Sequence, residues 1–195
     1  MNFLFRGDRK YIQGADIYIF IENLIKKNSF TNLDLSFKSF LTTQPLIKIK
    51  KNLPINSNYL NYGAVNCTIK NKKVKTIITF NNSKKKILNS YSYDEKLFYK
   101  YFLLKKNSIA FCKLKTSYRD IEVLVSLTKY WHLKKINNSG KWIFNRIKLI
   151  NHFKNDYAKN IKIKNVLNKF NKYTVSSIFQ DNKFIGEIHF SLLLK

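Results

Sequence analysis

Apolar residues recur along this chain in two rhythms, and the change from one to the other predicts its elements. Ile17, Phe20, Ile21, Leu24 and Ile25 fall three and four apart, the stripe of an amphipathic helix. Asp16 stands where a helix start needs an acceptor for its free amides, and Lys26-Lys27 suit the negative end of the dipole. A helix is predicted over 15–27, although IYIFI alone reads equally as a strand. Strand-like segments surround it: a short apolar start at 2–6, then Leu33, Leu35, Phe37 and Phe40 at near-alternating positions, then 46–50. Residues 53–61, with Pro54 and several Asn and Ser, read as a loop, and 64–69 with 74–80 form a hairpin across Asn71-Lys72-Lys73.

The second half begins after 94–104, which the pattern leaves open between helix and strand. Residues 108–114 read as a strand leading into 118–133, which is apolar on nearly every side; a helix of that kind is buried all round. A strand is predicted over 142–150, after a turn at Asn138-Ser139-Gly140, and a basic, irregular or helical insertion over 152–171. The chain closes on strands at 173–179 and 184–194, joined by Gln180-Asp181-Asn182.

Halves 1–92 and 106–195, joined by 93–105, share an order of short strand, helix, strand, connector and hairpin within a single compact domain, 1–195. RKYIQGADIYIFI and TSYRDIEVLVSL each place a Tyr and an Asp ahead of the apolar stretch. The reading is an α+β fold of duplicated halves, in which antiparallel sheets wrap two long apolar helices.

That order resembles the double-hot-dog family of acyl-thioester enzymes, which includes thioesterases, dehydratases and some polyketide-pathway acyltransferases. The resemblance covers most of the chain in element order and carries no legible catalytic motif. It implies a role in fatty-acid or polyketide metabolism, with an acyl-CoA or an acyl carrier protein as partner. No cofactor is implied; CoA or phosphopantetheine enters as part of the substrate. Catalysis itself stays open, and so does a homodimer.

Composition adjusts this picture. The formal charge of +26 suggests nucleic acid or an anionic surface as a partner, and hence an RNA-binding or ribosomal alternative. A third reading is a non-catalytic relative that binds a partner through its lysines. Only four of the 37 basic residues are arginine, however, and lysines spread along the whole chain, whereas nucleic-acid readers lean on arginine's planar fork. Abundant Lys, Asn, Ile, Phe and Tyr with 5 Gly and 2 Pro is the set that A+T-rich codons produce, so the charge is expected as genomic background. No apolar run is long enough for a membrane helix, the opening MNFLFRGDRK reverses a signal peptide's order, and Cys67 and Cys112 lack zinc spacing. A cytoplasmic protein is expected.

The resemblance implies that a thioester carbonyl meets a helix N-terminus, whose amides and dipole polarise it. Those places are Gln13-Gly14-Ala15-Asp16 and Tyr118-Arg119-Asp120-Ile121-Glu122. Asp16, Asp120 or Glu122 would act as base or position a water, Gly14 would allow close backbone approach, and Tyr11 and Tyr118 precede the two starts. Where lysine is so favoured, a retained arginine marks a need for guanidinium: Arg6, Arg9, Arg119 and Arg146 are candidate binders of a CoA or phosphopantetheine phosphate, or else members of structural ion pairs. His132, at the end of the second helix, is the candidate general acid or base among three histidines, with a helix C-cap as the plainer alternative; His152 and His189 complete the set without metal spacing.

Overall fold

The computed structural model describes residues 2–25, 32–57, 62–71, 73–111, 118–136, 140–153 and 160–194. They form two compact units, Met1–Asp94 with Ile150–His152, and Glu95–Leu149 with Phe153–Lys195.

The first unit contains β1 (Phe5–Arg6), α1 (Gly14–Ile25), β2 (Asn32–Phe37), β3 (Thr43–Pro54), β4 (Val65–Lys70), β5 (Val74–Lys86) and β6 (Ser90–Tyr91). Four strands make an antiparallel ladder in the order β3-β5-β4-β2. Helix α1 forms as its apolar spacing requires and buries Ala15, Ile17, Tyr18 and Ile21. Phe20 anchors it to the sheet, with ring centroids 5.9 Å from Phe80 of β5 and 5.4 Å from Phe3. The expected tail of this helix, Lys26-Lys27, lies outside the described residues.

Two corrections concern β3 and β5. The expected loop from 53 begins inside β3, which runs to Pro54. Prolines 45 and 54 fall in β3, which ends the ladder order and so has a partner strand on one side only, the setting in which strand prolines are tolerated. Strand β5 continues past Phe80 to Lys86. Its apolar signal stops at Phe80, but Asn82 Oδ1 accepts from the Thr42 N–H at 2.8 Å and the Thr43 hydroxyl at 3.1 Å, tying the polar stretch to β3. Strand β1 does not join the ladder. It pairs in parallel with β6, Phe5 N–H donating to Asn89 O at 3.0 Å and Gly7 N–H to Tyr91 O at 2.8 Å.

The second unit opens with a 3-10 helix, Glu95–Tyr101, followed by β7 (Phe102–Leu104), β8 (Ser108–Phe111), α2 (Asp120–Lys135), β9 (Lys141–Leu149), β10 (Ile161–Lys169), β11 (Tyr173–Gln180) and β12 (Lys183–Leu193). The strands run antiparallel in the order β9-β12-β11-β10-β8-β7, and α2 packs on β8, β9 and β10. Helix α2 buries Ile121, Val123, Leu124, Leu127, Thr128, Trp131 and His132 but leaves Leu133 63% exposed, so it is not buried all round. The expected irregular or helical insertion is in part a strand. Only Ile161 and Ile163 of β10 point inward, and beyond them Val166 and Leu167 are exposed, which hides the alternation.

Both units follow one chain order, strand, helix and four strands: β1-α1-β2-β3-β4-β5 and β8-α2-β9-β10-β11-β12. Their ladders differ. Strand β2 pairs with β4, whereas β9 pairs with β12. Among the described residues no helix is long and apolar enough to cross a membrane, which leaves membrane-spanning strands untested.

Candidate functional site

The start of α1 gathers the most chemistry. The Gln13 carbonyl accepts the N–H groups of Asp16 at 3.0 Å and Ile17 at 3.2 Å, so the amides of Gly14 and Ala15 precede the first intrahelical donor. Gly14 opens the helix. Asp16 Oδ1 accepts the Arg6 guanidinium and the Tyr91 hydroxyl, the latter at 2.9 Å. The β1–β6 ladder makes this junction, because it sets Arg6 directly beside Tyr91. Arg6 also lies over the Tyr93 ring, 4.2 Å from its centroid, in a cation–π contact.

Burial opposes the charge of Arg6, which is 3% exposed, but Asp16 outweighs it and raises the guanidinium's pKa further above its ordinary value. Burial, then the Asp16 charge, push the Tyr91 phenol up as well, so it stays a donor. Two polar atoms remain over. Gln13 is 8% exposed, and its Nε2, like Asp16 Oδ2, is buried with no hydrogen-bond partner among the described residues. A buried donor and a buried acceptor at one helix start are costly unless something meets them.

The start of α2 carries a side-chain cap. Glu122 Oε2 accepts the Arg119 N–H at 2.9 Å, so this carboxylate caps the helix it was expected to equip for chemistry. Asp120 is 4% exposed, and Tyr118 rests edge-on against Phe98 at 4.5 Å.

His132 is fully buried, stacked on Trp142 at 4.0 Å, with Nε2 2.7 Å from Thr174 Oγ1. Burial lowers its pKa to about 3, so the ring is neutral at physiological pH. Its carbonyl accepts the Ile136 N–H at 2.8 Å as α2 ends.

Of the remaining expected residues, Tyr11 packs on Phe40 at 4.5 Å and Arg146 faces His189 across β9 and β12. Arg9 lines an open groove of about 660 Å³ beside β1 and β6, with Lys10, Lys86, Phe5, Ile87 and Leu88. Arg6 and Asp16 are thus brought together in the first unit, whereas Glu122 and His132 serve a cap and a packed core in the second. Gln13 was named only as part of the helix start, and Tyr91 and Tyr93 were missed. Arg6 was one of four arginines expected at a phosphate or in an ion pair, and nothing local marks a tyrosine 75 residues from Asp16. Among the described residues no three His, Cys, Asp or Glu side chains are placed to hold a metal.

No protein-family model and no curated protein matches the chain. Solved structures do. A tesB protein of Mycobacterium avium subspecies paratuberculosis is similar at 8% identity and TM-score 0.48, over 98% of this chain and 91% of that one. The dehydratase domain of MlnD from Bacillus amyloliquefaciens is similar at 10% identity and TM-score 0.45, over 96% and 86%. A protein of unknown function with a hot-dog fold from Alicyclobacillus acidocaldarius is similar at 8% identity and TM-score 0.43, over 95% and 89%.

Proposed function

We propose that this chain binds and processes an acyl thioester at the N-terminus of α1. The observation that carries the reading is the unmet pair at that place, Gln13 Nε2 as donor and Asp16 Oδ2 as acceptor. A thioester carbonyl oxygen would be held by Gln13 Nε2 and by the amides of Gly14 and Ala15, which point along the positive end of the dipole. Asp16 Oδ2 would then accept a proton from water or from the substrate, while Arg6 and Tyr91 keep the other oxygen, and so the carboxylate's orientation, fixed. Arg9, Lys10 and Lys86 offer positive charge to the phosphate of CoA or of a carrier protein's phosphopantetheine. Within this reading the repeated strand-helix-strand order is a duplication in which the first unit's helix start keeps two unmet polar atoms and the second has a capped one.

The test incubates the full chain with a panel of acyl-CoA and acyl-carrier thioesters, following thiol release and binding heat, beside Asp16→Ala and His132→Ala. The expected result is binding that Asp16→Ala weakens, with thiol release lost in that variant. If no member of the panel binds, the reading fails.

A further inference from the structure

A second group of side chains lies on the second unit's sheet, on the face turned away from α2. Thr174 of β11 and Phe190 of β12 point toward His132 on the helix. Alternation therefore sends Tyr173, Glu187 and His189 to the opposite face. There the Tyr173 hydroxyl lies 2.6 Å from His189 Nδ1, and His189 Nε2 lies 3.6 Å from Glu187 Oε2. On the neighbouring strand Arg146 stands opposite His189 and Lys148 opposite Glu187.

We propose that Tyr173 is a nucleophile, with His189 as its general base, that accepts an acyl group from an activated ester or thioester. A hydroxyl bonded to an imidazole whose far nitrogen faces a carboxylate has the three parts that nucleophilic acyl transfer needs. His189 is 6% exposed and held from both sides, while Tyr173 is half-buried. Burial raises the Tyr173 pKa, Arg146 pulls it down and Glu187 pushes it up; the net effect keeps the phenol protonated at rest, so reaction requires a base.

The step balances without an oxidant. The phenolic oxygen bonds to the acyl carbon as its proton passes to His189 Nδ1. The bond from that carbon to sulfur, or to the ester oxygen, breaks, and the imidazolium returns the proton to the leaving group. Glu187 stabilises the transient imidazolium and Arg146 the developing phenolate. The thioester as donor rests on the function proposed above; the reactive phenol does not.

The experiment treats the full chain with p-nitrophenyl acetate and, separately, with acetyl-CoA, and locates acetyl groups by peptide mass spectrometry. Acetylation of Tyr173 by p-nitrophenyl acetate is expected, absent in Tyr173→Phe and slowed about a hundredfold in His189→Gln. Tyr173→Phe removes one half-exposed oxygen, and thermal melts of both variants check that they fold. Label on Tyr173 from the ester but not from acetyl-CoA upholds the nucleophile and counts against a thioester as its donor. Label on lysines alone, or equal labelling in wild type and His189→Gln, overturns the proposal. Neither of those outcomes touches thioester binding at α1.

Discussion

Arg6 of β1 and Asp16 of α1 form an ion pair with side chains 3% and 16% exposed, and this pair joins the parallel β1–β6 ladder to the helix start. It gives one of the four arginines a specific job: the guanidinium is paired on one side and stacked over Tyr93 on the other, which a lysine's ammonium does not reproduce.

Removing one partner leaves a buried charge behind. Asp16→Ala and Arg6→Ala should each lower stability by about 3 kcal/mol, and Arg6→Lys should recover only part of that. Urea unfolding of the three variants measures this. Equal midpoints for Arg6→Lys and wild type would show that the fork and the stacking contribute nothing.

His132 makes stability depend on pH. Its folded pKa of about 3 lies below the ordinary 6.5, so between those values the unfolded chain takes up a proton that the folded chain refuses. This contribution is fully present above the unfolded value and is lost as pH falls toward the folded one, at most roughly 1.4 kcal/mol per pH unit. The urea midpoint of wild type should fall from about pH 7 to about pH 5 more steeply than that of His132→Gln. Parallel curves would contradict the burial of this ring.

Gly186 has φ +154°, and a methyl group there would come 2.0 Å from the Lys148 carbonyl oxygen of β9. Gly186→Ala should cost about 3 kcal/mol, because backbone must move. Gly7, at φ +59° with open space around it, is the comparison: Gly7→Ala should cost only about 1 kcal/mol of left-handed strain. Thermal melts of the pair give the ranking, and the reverse order would refute the close strand approach.

Cys67 is fully buried on β4, and burial, then Asp34, raise its thiol pKa. It should resist a thiol-specific reagent in the folded protein and react at once in denaturant. Peptide mapping of the labelled cysteine decides it; rapid labelling of Cys67 in the native state would contradict its placement.

Legibility in the sequence followed apolar density. The β4–β5 hairpin, α1 and α2 carry dense periodic apolar residues, and each lies where its pattern predicts. Strand β10 did not show, since most of its side chains face away from any core, and β1 with β6 is a two-residue ladder held by backbone bonds that leave no side-chain rhythm. The 3-10 helix at 95–101 buries only Phe98, too little to choose between helix and strand. At the candidate site, Arg6 stood out as a retained arginine and Asp16 as a helix-start acid. The third member, Tyr91, is placed by the long-range pairing of β6 with β1. Glu122 and His132 illustrate the converse: the residue types that do chemistry also cap helices and fill cores, and only position separates these uses.

The most direct test of thioester binding at α1 is calorimetric titration of acyl-CoA and acyl-carrier thioesters into wild type and Gln13→Ala, a variant that leaves the Arg6–Asp16 pair intact. Saturable binding by wild type, weakened about tenfold or more in Gln13→Ala at an unchanged melting temperature, is the predicted result. Absence of binding by wild type, or equal affinity in both proteins, would contradict it.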